Sequence, residues 1–282
     1  MTSALLDDLV RAAASEVLAV RGLDPDALPA DAGVGRPRDP GHGEYATAVA
    51  LRAAGRAGVA PHELAGWLAD ALVQRPEVAG AEVSGPGFVN LRMTAAGRAA
   101  VVAGALTCEF PDGTAVRVAA EERDVPNGLV AAVGTEAARY AVLRSPTGVV
   151  GDVALLARRV PGNPLFSVQY AHARLVALGR NAADLGVVPE PGPLTRPEEI
   201  ALVGHLAEVP AVVRAGEPHR LARHLEALAA AVLDFHDACA VLPRGDEDVT
   251  ELHRARLAAA VAARRALANG LGLLGVSAPE RI

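Results

Sequence analysis

The sequence predicts an α+β N-terminal domain followed by an all-α antiparallel helical bundle, and three observations carry that expectation. Leu221, Leu225, Leu228, Val232, Phe235, Cys239 and Leu242 step alternately by four and three, the apolar seam of one long helix. Leu252, Leu257, Val261, Leu267, Leu271 and Leu274 repeat such a seam near the C-terminus. Val83, Val89 and Leu91 flank Gly85-Pro86-Gly87, the pattern of two short strands around a turn or bulge. Sustained seams also suit a coiled coil, but the short connections favour helices folding back on one another.

Taken in order, Leu5, Leu9, Ala13 and Val17 step by four and predict an amphipathic helix over 3–20. Residues 22–43 are rich in Pro, Gly and Asp and read as loop, with at most a short strand near Val34. Helices are expected over 45–57 and, after the breaker Pro61, over 62–74. The two strands follow within 82–93. Residues 106–130 hold Pro111, Gly113, Pro126 and Gly128 and read as a linker with one short strand at 115–119. The expected domains are therefore 1–105 and 131–282, joined by 106–130. In the second, Glu217-Pro218 starts the long helix and Pro243 ends it, 181–197 is loop, and the last helix covers about 249–274.

Composition narrows the function classes. A chain of 282 residues can bury two cores. Cys108 and Cys239 lie far apart without CxxC or Cys/His spacing, against a zinc site or a disulfide framework. Asp7 and Asp8 make the N-terminus too acidic for a signal peptide, no stretch of about 18 apolar residues occurs, and a cytoplasmic protein is expected. No Gly-rich phosphate loop follows a convincing strand and no nucleophile motif is present, so neither a cofactor nor an active site is expected. His219, His224 and His236 share one helix without an acidic partner at ligand spacing, and read as surface or boundary residues, with no metal.

Charge weighs mildly against nucleic acid. Residues 1–130 hold 11 Arg against 17 acidic groups, net −6, while residues 131–282 hold 16 of each. Proteins that neutralise phosphates are usually basic. Any RNA binding must therefore use local basic patches and be weak and salt-dependent. All 27 basic residues are Arg, with no Lys, and an excess of Ala, Gly and Pro accompanies them. That looks like genome bias and carries no functional weight.

The segment 163–174, NPLFSVQYAHAR, is the most informative. Asn163 can cap free N–H groups and Pro164 fits a first helical turn. Phe166, Tyr170 and Arg174 fall at i, i+4 and i+8, with Gln169 and His172 beside them. Rings, an amide and a guanidinium on one surface suit bases and phosphates. The competing reading is a buried helix whose polar tips are satisfied internally.

This segment resembles the one, written NPxxYVQYAHAR, that opens the anticodon-binding domain of class I arginyl-tRNA synthetases. The resemblance continues through VGTEAARYAVLRS (133–145), EPHRLARHLEALAAAVLDFHDACAVL (217–242) and GLGLLGVSAPERI (270–282). RPRDPGHGEYATAVAL (36–51) and GPGFVNLRM (85–93) are similar to the N-terminal domain of the same enzymes. The resemblance implies a DALR-type helical bundle behind an α+β tRNA-binding domain. Only about twenty residues stand where the family carries its nucleotide-binding domain. The lysines of the family's second signature motif are absent because the chain has no Lys, and His42 in DPGHGEY lacks the second histidine of the first motif. The resemblance thus implies tRNA binding without amino-acid activation, with arginine tRNA as the partner.

Site residues follow from the same resemblance. Phe88 and Asn90 match the family's aromatic and Asn that contact the D-loop at the tRNA elbow. Period two puts them on one face, opposite Val89 and Leu91, so a core-facing Val89 and Leu91 would leave Phe88 exposed. The competing reading packs Phe88 in the sheet and gives Asn90 to a turn. On the anticodon side, Gln169, Tyr170 and Arg174 are retained, but Ser167 stands at a family Tyr, His236 at another, and Ile282 at a C-terminal Met. Stacking contributes roughly 1–3 kcal/mol per base, so Ser167 weakens anticodon discrimination more than RNA binding itself. Three functions remain: a non-catalytic tRNA adaptor or regulator, a protein-interaction module that has lost RNA and serves a tRNA-using enzyme, and a fragment completed by a catalytic subunit. A twenty-residue linker extends up to about 70 Å. If the halves instead pack together, one RNA site operates alone.

Overall fold

The computed structural model describes residues 2–37, 39–107 and 112–282, so Cys108 and Pro111 lie outside the described residues. The N-terminal half is α+β. Helix α1 (Thr2–Val20) buries Leu6, Val10, Ala13, Ala14, Val17 and Leu18 along one stripe. Strand β1 (Tyr45–Thr47) leads into α2 (Val49–Ala57) and α3 (Pro61–Val73), and then into β2 (Val78–Ser84) and β3 (Phe88–Met93). The strands form an antiparallel sheet of order β1-β3-β2, with Tyr45 opposite Leu91 and Val83 opposite Val89. The expected hairpin around Gly85-Pro86-Gly87 is present, with β2 beginning earlier than expected.

The helix expected over 45–57 is corrected at its start. Tyr45, Ala46 and Thr47 pair with β3, and the helix begins at Val49. Tyr45 and Thr47 are each 1% exposed because alternate positions of β1 face the core. Thr47 Oγ1 donates to the Ala32 carbonyl at 2.6 Å and accepts from Val49 N–H at 3.1 Å, tying loop, strand and helix together. Gly43 precedes this strand with φ +123°, and a Cβ there would sit 2.7 Å from the Leu91 carbonyl oxygen. Only glycine fits that approach.

Residues 114–121, expected to include a strand, are helical instead. Helix α4 (Ala95–Thr107) precedes them, α5 is Thr114–Glu121 and α6 is Asn127–Val133. Val116 and Val118 alternate as strand residues would, but Val116 and Ala120 are the buried pair, at helical spacing, while Val118 is exposed. Helix α5 packs against the C-terminal bundle, whose elements are α7 (Thr135–Leu143), α8 (Val153–Leu156), α9 (Pro164–Asp184), α10 (Pro197–Arg214), α11 (Pro218–Ala238) and α12 (Glu251–Leu273). Helix α11 ends four residues before the expected Leu242, with Cys239 already extended.

Helix α12 contacts α4, α9, α10 and α11. Leu257, Leu267, Leu271 and Leu274 of its expected seam are buried while Leu252 is exposed, and Ala255, Ala258, Ala259, Ala262 and Ala263 are buried with them. Small side chains let neighbouring helices approach closely, as at Gly270, where a Cβ would meet Leu225 Cδ2 at 2.6 Å. Buried Arg256 pairs with Glu199 at 2.7 Å and donates to the Ala240 carbonyl.

The two halves share one core. Helix α1 lies against α10, and α4 lies against α1, α10 and α12. Arg98 forks onto Glu44 at 2.9 and 3.0 Å and donates to the Leu194 carbonyl across the junction. No helix among the described residues is long and apolar enough to cross a membrane.

Candidate nucleic-acid interface

Helix α9 builds the interface from its first residue. The Asn163 side chain accepts from Phe166 N–H, while its Nδ2 donates to the carbonyls of Leu156 and Arg158 at 2.9 and 2.8 Å. Asn163 therefore starts the helix and fixes the loop before it. One and two turns on, the Phe166 and Tyr170 rings stack at 5.8 Å between centroids and 17° between planes. Arg174 continues the stripe: its Nη1 donates to the Tyr170 hydroxyl at 3.1 Å and its guanidinium lies 5.7 Å from that ring's centre.

On the facing helix α11, His236 Nδ1 lies 3.0 Å from Arg174 Nη2. Burial, and then Arg174 itself, lower the His236 pKa from its ordinary value, which keeps the ring a neutral acceptor. No carboxylate forms an ion pair with Arg174 among the described residues. The three side chains thus form a half-buried surface of stacked rings and one uncompensated cation. Ser167 points elsewhere, its hydroxyl donating to the Pro161 carbonyl at 2.5 Å.

Gln169 does not join this surface. Its Nε2 donates to the Ser277 carbonyl at 3.1 Å and reaches Glu136 at 3.4 Å. Glu136 also accepts from the Ser277 amide and hydroxyl, both at 2.9 Å. His172, 5% exposed, sits 2.9 Å from the Pro279 carbonyl, and burial lowers its pKa. These bonds satisfy the polar side of α9 internally and lay residues 277–280 along it. A groove of about 540 Å³ results, lined by Arg158, Arg159, Phe166, Gln169, Arg281 and half-exposed Ile282. Arg158, Arg159 and Arg281 are exposed, with no side-chain ion pair among the described residues. Sequence reasoning missed these three because they sit in coil, outside any periodic pattern; Phe166 joins stripe and groove.

At the other end, β3 separates its two candidates. Val89 and Leu91 are fully buried and Phe88 is 41% exposed, beside the β2–β3 turn. Asn90 shares the Phe88 face yet is 7% exposed, because β3 is the central strand and Ala46 and Glu82 flank it. Its Nδ2 donates to Ser84 Oγ at 2.9 Å. The amide is thus engaged within the hairpin, and only the ring is offered outward.

The fold and these two ends define a class of protein: an α+β module packed on a helical bundle. Residues 4–93 match the arginyl tRNA synthetase N terminal domain and residues 168–282 match the DALR anticodon binding domain. Both ends of the chain are thus similar to arginyl-tRNA synthetases, with residues 94–167 between the two matched segments. Among curated relatives, the arginine–tRNA ligase of Clavibacter sepedonicus is 47% identical over 61% of this chain and 33% of its own length. That of Kineococcus radiotolerans is 47% identical over 64% of this chain and 35% of its own. The chain spans about a third of the length of these relatives. The solved arginyl-tRNA synthetase of Thermus thermophilus is 26% identical over 60% of this chain and 31% of its own, with a TM-score of 0.41.

Proposed function

We propose that the chain is a non-catalytic tRNA-binding protein, an adaptor or regulator whose RNA is an arginine tRNA. The observation that carries this reading is Arg174: a cation held in place by Tyr170 and His236, beside stacked rings, with no carboxylate paired to it among the described residues. A half-buried guanidinium without a counter-ion is costly unless it serves an anionic ligand, and phosphate supplies one. The groove with Arg158, Arg159 and Arg281 extends the same positive surface. Catalysis is absent from the proposal because no lysine is available to hold transition-state phosphates and no second histidine accompanies His42.

Because α1 and α4 pack on the bundle, RNA binding belongs to the α9–α11 surface alone, with Phe88 outside it. An alternative, a protein-interaction module serving a tRNA-using enzyme, draws support from the acidic first half and the engaged Asn90 amide. Fluorescence anisotropy with labelled arginine tRNA at low salt tests the choice. Saturable binding that weakens steeply with salt is expected; no binding under those conditions favours the protein module. Arginine-dependent ATP–pyrophosphate exchange should be nil, and any activity there contradicts the non-catalytic assignment.

A further inference from the structure

The junction between the two halves holds a second cluster of chemically active side chains, far in sequence from the α9 segment. Helix α10 carries His205 and Glu208 one turn apart, and α11 carries His224 opposite them. One ligand atom from each lies within 4.8 Å of the others. Glu208 Oε2 is 3.9 Å from His205 Nδ1 and 3.9 Å from His224 Nδ1. The sequence offered no such grouping, because the acidic partner of His224 sits on a different helix.

We propose that His205, Glu208 and His224 form a binding site for a borderline divalent cation, Zn²⁺ above all, that clamps α10 to α11 at the junction. The His2Glu set matches that ion's preference, whereas Mg²⁺ and Ca²⁺ take oxygen ligands. Two ligands are already oriented as metal ligands are. His224 Nε2 donates to the His205 carbonyl at 3.0 Å, which leaves the Nδ1 lone pair facing Glu208. Glu208 Oε1 accepts the Arg36 backbone N–H at 3.2 Å, which leaves Oε2 for the ion. Zinc–ligand bonds of about 2.0–2.2 Å require the 3.9 Å separations to close by roughly half an ångström, within reach of side-chain rotation.

Burial supports the site from a second direction. The three side chains are 17, 24 and 8% exposed. Desolvation holds both imidazoles near pKa about 4, with Arg36 adding to the effect, so both rings are neutral at neutral pH. Burial also raises the Glu208 pKa, and a cation would relieve that buried carboxylate. Glu208 lines a groove of about 700 Å³ with Arg36, Gly43, Arg92, Ile200 and Gly204, which gives an ion a way in.

Arg36 is the competitor. Its Nη1 donates to His205 Nε2 at 2.8 Å, so His205 carries its proton on Nδ1 and must exchange it when the ion binds. Metal binding therefore releases the Arg36 side chain from the bundle while its backbone N–H stays on Glu208.

Isothermal titration of the untagged, chelator-washed chain with ZnCl₂ at pH 7.5 tests the site. One equivalent is expected to bind saturably, with at least a ten-fold loss of affinity in Glu208→Gln and again in His224→Ala. Arg36→Gln, which leaves all three ligands in place, should bind as tightly or more tightly. No saturable binding, or binding that Glu208→Gln and His224→Ala leave unchanged, overturns the proposal, and so does weaker binding in Arg36→Gln. Because RNA contacts lie on α9, this result is independent of the tRNA measurement.

Discussion

At the scale of single residues, Tyr170 and Arg174 divide the work of the proposed interface. Tyr170 offers the one tyrosine ring left on the α9 stripe, so Tyr170→Ala should cost roughly 1–3 kcal/mol of RNA binding, about ten-fold or more in affinity. Electrophoretic mobility shift with arginine tRNA measures it, and folding should be unaffected because the ring is half-buried. Arg256 belongs to the opposite class, as stability rather than binding. It is 9% exposed and Glu199 is 1% exposed, so Arg256→Met leaves a carboxylate buried without its cation. A loss of about 3 to 5 kcal/mol in denaturant unfolding is expected. Glu199 also accepts the Thr195 and Arg196 amides at 2.7 and 2.9 Å, which fix the start of α10. Asn90 shows where residue-level reading stops. Its alternation with Val89 was legible, but the covering by Ala46 and Glu82 depends on β1 pairing, which the sequence did not display.

At the scale of elements, α9 joins capping, stacking and attachment of the C-terminal segment in one helix. Asn163→Ala removes an N-cap and strands two carbonyls, so a loss of about 2 kcal/mol or more is expected in thermal or urea unfolding. RNA affinity should fall with it, because the Arg158–Arg159 loop hangs from the same side chain. The helix also makes stability depend on pH. His172 and His236 both have folded-state pKa values lowered from 6.5, chiefly by burial. The unfolded chain then takes up protons first, so their contribution is full above about pH 6.5 and is lost as pH falls through the folded values. Unfolding midpoints should drop on acidification below that point, and less steeply in His172→Gln with His236→Gln.

Elements with strong local signals were legible: the α9 start, the α11 seam and the Gly85-Pro86-Gly87 hairpin. Those that depend on partners were not. Strand β1 is three residues held by β3, and α5 hides its helical face behind a valine alternation. Helix α12 buries its leucine seam as expected, together with a row of alanines that a leucine count leaves out. For the site, the aromatic stripe could be read directly. The arginines of the groove could not, because the chain brings them together only after residues 277–280 dock on α9.

At the scale of the whole molecule, residues 106–130, expected to be a linker, contain α5, which packs on the bundle. Helices α4 and α5 pack on the bundle, and Gly113 lies where a Cβ would meet Leu273 at 2.3 Å. The sheet and the α9 surface are therefore set in one body rather than on independent arms. With that packing, one surface centred on Arg174 is proposed to account for RNA binding. The direct measurement is the affinity of arginine tRNA, at fixed low salt, for wild type, Arg174→Gln and Phe88→Ala side by side. At least a ten-fold loss is expected for Arg174→Gln and an unchanged value for Phe88→Ala. Wild-type affinity in Arg174→Gln, with the loss appearing in Phe88→Ala instead, would contradict it.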